Sequence, residues 1–156
     1  MNVSTGSPAT RPARGSAARP WVWRASLGVL VLIVIETGLG LYVMSNVTVS
    51  EADHNAGLSD VVSNGPATLS IHTGVGLLLG LGALGVLVQS IITRRWGVIA
   101  LSVAGLLALV FASVAGTGFT SSGDDSASAA MAVMTGIALV CYGANLYLLR
   151  PDQLGR

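Results

Sequence analysis

The sequence predicts an all-α integral membrane protein, a four-helix bundle with both termini in the cytoplasm. Three observations lead there. Of the 156 residues, 52% are apolar and only 10% are charged, and the mean hydropathy is +0.72; such a balance places the chain among membrane proteins. Four apolar runs, roughly residues 25–44, 67–92, 96–116 and 128–149, reach the length of about 20 residues that a bilayer crossing needs. Helices are the economical reading, because each satisfies its own backbone in hydrocarbon, and the alternating short segments of a barrel are missing. Finally, the basic residues are all arginine: Arg11, Arg14, Arg19, Arg24, Arg94, Arg95, Arg150 and Arg156. With four crossings and cytoplasmic termini, every one lies inside, and the outer loops carry only acidic residues, Glu51, Asp53, Asp60, Asp124 and Asp125. That is the positive-inside pattern, and it predicts a multi-pass protein of the bacterial inner (cell) membrane.

Residues 1–24 read as a basic cytoplasmic tail, since MNVSTGSPATRPARGSAARP is rich in Ser, Ala, Pro and Arg and has no apolar periodicity. The four-helix domain then occupies residues 25–149, and residues 150–156 form a short cytoplasmic tail. Trp21 and Trp23 stand where an inner-interface aromatic anchor belongs. The first apolar run exceeds a usual signal-peptide core and reads as a retained anchor.

The first connection, residues 45–66, is polar and acidic. Glu51, Asp53 and His54 lack regular ligand spacing, so a solvated loop is expected there. Helix two, ATLSIHTGVGLLLGLGALGVLVQSII, ends at Thr93-Arg94-Arg95. A turn this short makes helices two and three antiparallel neighbours. Helix three carries small residues at four-residue spacing, Ala104, Ala108, Ala112 and Gly116. The stretch TGFTSSGDDSA has the composition of a second outer loop. Helix four stops at Arg150-Pro151. Cys141 is the single cysteine, which rules out an intramolecular disulfide and suits small apolar packing.

Two residues stand out chemically. Glu36 is an ionisable group inside a span, at a cost of about 3 kcal/mol on insertion scales, and such groups face the bundle interior. Gly40 follows one turn on. His72 begins a second series, His72, Gly76 and Gly80, on one helix face; small residues there let helices approach closely. The glycines Gly74, Gly82 and Gly85, with Gln89, form another stripe, which suggests a central place for helix two. A rise of about 1.5 Å per residue puts Glu36 roughly 12 Å and His72 roughly 8 Å from the outer ends. They are therefore expected to meet directly or through water. Three roles suit the pair: a neutral hydrogen bond between helices, proton or ligand handling, and haem ligation by His72. Methionine is a chemically suitable second axial ligand, and Met131 and Met134 lie at matching depth in helix four.

The first span ending GLGLYVM, the outer loop, and IHTGVGLLLGL entering the second span resemble small bacterial four-helix membrane proteins similar to one half of haem A synthase. The resemblance covers roughly residues 25–149 and centres on His72-x-x-x-Gly76. It implies haem as cofactor with His72 as an axial ligand. Helix four has no histidine, so Met131, Met134 or a second protomer's histidine would complete the coordination.

No Walker glycine loop, HExxH or dinucleotide fingerprint is present, and no soluble portion is large enough for a nucleic-acid-binding domain. The expected role is a non-catalytic membrane bundle or accessory subunit, packing with itself or with a partner subunit in the lipid bilayer. The alternatives are a haem-binding or redox module using His72, and a small proton-linked transporter using Glu36 and His72.

Overall fold

A computed structural model describes residues 19–46, 63, 66–122 and 125–150. They form four long α-helices: α1 over Arg19–Asn46, α2 over Ala67–Thr93, α3 over Trp96–Ser122 and α4 over Asp125–Leu148. All four are long and apolar enough to cross a membrane. They alternate in direction and close a ring in which α1 packs on α2 and α4, and α3 packs on α2 and α4. Helix α2 thus has two neighbours like every other helix, not the central place its glycine stripes suggested.

Three helix boundaries differ from the apolar runs. Helix α1 starts at Arg19, so residues 19–24, expected in the tail, are helical. Helix α3 continues to Ser122 and α4 begins at Asp125, so the stretch 117–127 is largely helix instead of loop. Hydropathy marks only where a helix would be dry, whereas the backbone ladder continues through polar residues. The Thr117 hydroxyl, for example, donates to the Val114 carbonyl at 2.7 Å. Residues 1–18, Glu51, Asp53, His54 and Asp60 lie outside the described residues.

The α2–α3 turn is made by Arg94, the one described non-glycine residue with positive φ, at φ 53° and ψ 35°. Its amide donates to the Ile91 carbonyl at 3.1 Å, closing α2 in the left-handed manner that more often uses glycine. At the start of α2, the Pro66 carbonyl accepts from Leu69 and Ser70 at 2.9 and 3.0 Å. Proline suits this place because it has no amide to satisfy.

All described arginines, from Arg19 to Arg150, fall at one end of the bundle, called here the arginine end. Val22, Val98 and Leu149 form a dry layer beside it, with Trp23 against them. One turn further in, Ser26, Ser102 and Asn145 replace them, all fully buried, together with Ser90 from α2. Asn145 Nδ2 donates to Ser102 Oγ at 3.0 Å, Ser102 and Ser90 share a 3.2 Å bond, and Ser90 Oγ donates to the Val86 carbonyl at 2.7 Å. Because the Ser90 proton is engaged on Val86, Ser102 must donate to Ser90. A directed chain of hydrogen bonds therefore ties α4 to α3 to α2, the kind of glue that apolar helices need in lipid.

The main core follows, with Val29, Ile33, Leu79, Ala83, Val86, Ala108, Ala138 and Tyr142. Helices α3 and α4 come closest here. A Cβ on Gly105 would stand 2.8 Å from Tyr142 Cε2 and 3.3 Å from Cys141 Cβ, so only glycine fits. In the ladder expected on α3, Ala108 and Ala112 are buried but Ala104 is exposed, and Gly105 takes its place. Four residues advance a helix by about 400°, so a strict four-residue spacing drifts about 40° per step and leaves the contact face.

The outside is apolar. Leu81, Ile92, Val114 and Val140 are each more than 60% exposed, while Ser26, Ser90, Ser102 and Asn145 sit inside. Trp96 on α3 and Trp21 on α1 are both exposed near the arginine end.

Candidate functional site

Beyond the core, away from the arginine end, the four helices separate around a cavity of about 1470 Å³. All of them contribute to its wall, and the wall is overwhelmingly apolar. Its mouth is framed by Leu77, Leu81 and Leu84 of α2 and by Val110 and Val114 of α3, all about half exposed or more. The opening follows from the turn at the other end. Arg94 and the Ser90–Ser102 bond pin α2 to α3 there, and small residues along the facing surfaces do not fill the space as the helices run on.

Glu36 and His72 stand in this wall. Glu36 Oε1 is 3.1 Å from His72 Nδ1, with side chains 14% and 20% exposed, respectively. The contact has ion-pair distance without the alignment of a full hydrogen bond, and Glu36 Oε2 is buried with no partner. Two glycines make room for the pair. A Cβ on Gly76 would lie 3.0 Å from Glu36 Oε1, and one on Gly40 would lie 3.4 Å from His72 Cε1. Each acidic or imidazole side chain thus rests on the glycine one turn beyond its partner. Since Nδ1 is buried against α1, the exposed part of the imidazole lies elsewhere on the ring, toward the cavity that His72 lines.

The remaining candidates are placed as follows. Gly80 lines the cavity, but a Cβ there would meet nothing within 4 Å; it is not a close helix contact, and the tight approach on α2 is at Gly76 and at Gly82, which faces Val29 at 3.3 Å. Met131 lines the cavity with its sulfur packed 3.4 Å from the position of a Gly116 Cβ. Met134, three residues on, is partly buried but does not line it, because three residues rotate it off the inward face. Cys141 is buried in packing beside Gly105.

Sequence reasoning missed two features. The polar layer of Ser26, Ser90, Ser102 and Asn145 was legible only as scattered hydroxyls in apolar runs. The hydroxyls around the cavity were missed as well. Those of Thr37, Thr73, Ser113 and Thr135 donate to the carbonyl one turn back in their own helices at 2.7–3.0 Å, and Ser128 Oγ donates to Met44 Sδ at 3.2 Å.

Among the described residues no group of three or more His, Cys, Asp or Glu side chains is placed to hold a metal ion. Compared with protein-family models, curated proteins and solved structures, the chain matches none.

Proposed function

We propose that the chain is a small multi-pass membrane protein, with both termini cytoplasmic, that binds an apolar molecule entering its outer half from the lipid. The cavity of about 1470 Å³, walled by all four helices and framed by exposed leucine and valine, carries this reading. Ligand sites are concave, mostly apolar and equipped with a few convergent polar groups, and Glu36 with His72 supplies those groups. The positive-inside distribution of arginine supports the orientation. The test is native mass spectrometry and lipid extraction of protein purified in mild detergent. A stoichiometric apolar species, displaced in Gly136→Leu, is expected. That residue lines the cavity and has open space beside it. Loss of every small molecule on gentle purification, with no binding of added apolar probes, overturns the proposal.

A second reading rests on the ring orientation of His72. A carboxylate at Nδ1 is the arrangement that orients a coordinating imidazole and raises its basicity, and it leaves Nε2 as the coordinating atom. The donor set fits haem: His72 Nε2 would hold the iron, and Met131, in the same cavity wall, is a suitable thioether partner. Bound there, haem would supply one-electron chemistry; Glu36 would fix the ring and the apolar wall would exclude water. Oxidised and dithionite-reduced absorption spectra decide it. A stoichiometric Soret band that collapses in His72→Ala supports haem, and its absence after expression with ample haem removes this reading.

A further inference from the structure

The hydrogen-bond inventory of the cavity is one-sided. Among the described residues lining it, Thr37, Thr73, Ser113, Thr117 and Thr135 each direct the hydroxyl proton to a carbonyl of the same helix, and Ser128 directs its proton to Met44 Sδ. Backbone amides in these stretches are engaged in the helices themselves. What these groups offer an occupant is therefore acceptors: hydroxyl oxygens, thioethers and the carboxylate of Glu36, whose Oε2 has no hydrogen-bond partner. His72 Nδ1 lies 3.1 Å from Glu36 Oε1. Of the titratable groups, α1 brings Glu36 and α2 brings His72, while α3 and α4 bring none to this wall.

We infer that the cavity selects a hydrophobic ammonium ion, an amine with an apolar body, whose N–H groups meet the Glu36 carboxylate. The inference rests on the proposed ligand-holding role and names the class of ligand. Hydroxyls whose protons are already engaged leave a neutral hydrocarbon nothing to orient it and have no proton to give a carbonyl. An ammonium head pairs with the Glu36 carboxylate, and the apolar body fills the rest of the cavity.

The test uses the full chain in neutral phosphatidylcholine nanodiscs, so that no anionic lipid attracts the cation. Binding of 4-phenylbutylamine is compared with that of 4-phenylbutanol by calorimetry at about pH 7, where the amine is protonated. The amine is expected to bind on the order of tenfold or more tighter than the alcohol, as a hydrogen bond to a charged group implies. In Glu36→Gln the preference is lost while alcohol binding is retained. Equal binding of amine and alcohol, or an amine preference that survives Glu36→Gln, overturns the inference and leaves the ligand-holding role standing. Failure of both probes to bind the wild type overturns that role as well. If Glu36→Gln does not fold, the comparison of amine with alcohol in the wild type decides the question.

Discussion

Glu36 Oε1 lies 3.1 Å from His72 Nδ1, and each side chain rests on the glycine four residues after the other, Glu36 on Gly76 and His72 on Gly40. This reciprocal packing lets a carboxylate and an imidazole approach between antiparallel helices without forcing the backbones apart. It also separates two questions that substitution of the pair itself would confound, namely where the charges are and whether they exist.

Gly76→Ala keeps both groups and moves one. Its methyl would press on Glu36 Oε1 at 3.0 Å, and because a carboxylate at the end of a flexible chain can yield, the expected outcome is a longer Glu36–His72 distance in a folded protein. The ¹⁵N shifts of His72 read this directly, and they are expected to move in Gly76→Ala and to stay in Gly80→Ala. The latter meets open space and should raise stability by up to about 1 kcal/mol through helix propensity alone.

Gly105→Ala is expected to destabilise the bundle. Its Cβ would stand 2.8 Å from the fully buried Tyr142 ring, which cannot swing aside. Overpacking costs about 1–3 kcal/mol, more than the gain of about 1 kcal/mol from replacing glycine in a helix. Denaturant titration in micelles measures the difference, and wild-type stability in this variant would contradict the closeness of α3 and α4.

Tyr142→Phe is expected to do the reverse. The hydroxyl is buried without a partner, and a buried unsatisfied group carries a desolvation penalty of about 1–3 kcal/mol. Its removal should leave stability unchanged or raise it by up to that amount. A clear loss would reveal a hydrogen bond to Tyr142.

Ser102→Ala interrupts the chain from Asn145 to Ser90 at its middle member. Interhelical hydrogen bonds in membranes average about 0.6 kcal/mol and reach about 1.7, so a loss of roughly 1–3 kcal/mol is expected, including the Asn145 amide left unpaired. Ser113→Ala, whose proton serves only its own helix at 3.0 Å, should change stability by no more than about 0.5 kcal/mol. Equal effects of the two substitutions would contradict the chain.

The proposed orientation predicts labelling. In a Cys141→Ala background, Ser63→Cys should react with an impermeant maleimide on intact cells, and Arg95→Cys only after permeabilisation. The opposite pattern would invert the assignment of both ends.

Helix number and the alternation of the helices were readable from the sequence because they follow from local chemistry. About 20 apolar residues cross a bilayer, a backbone in hydrocarbon satisfies itself by forming a helix, and Arg94-Arg95 leaves no length for anything but a tight reversal. Glu36 and His72 were also readable, since an ionisable group in a span must be sheltered and both carry a glycine one turn on. The tertiary structure decided which surfaces meet. In water, an amphipathic stripe announces the buried face of a helix; here Leu81 and Val114 are as apolar outside as Val29 and Ile33 are inside, so hydropathy carries no information about rotation. Contact is set by side-chain size, and a one-residue change of phase exchanges Ala104 for Gly105. The joining of Ser90, Ser102 and Asn145 from three helices, and the hollow half of the bundle beside a solid one, depend on those phases and on how far α2 and α3 diverge from the turn at Arg94. Backbone satisfaction is a property of each segment, whereas packing and cavities belong to all four helices together.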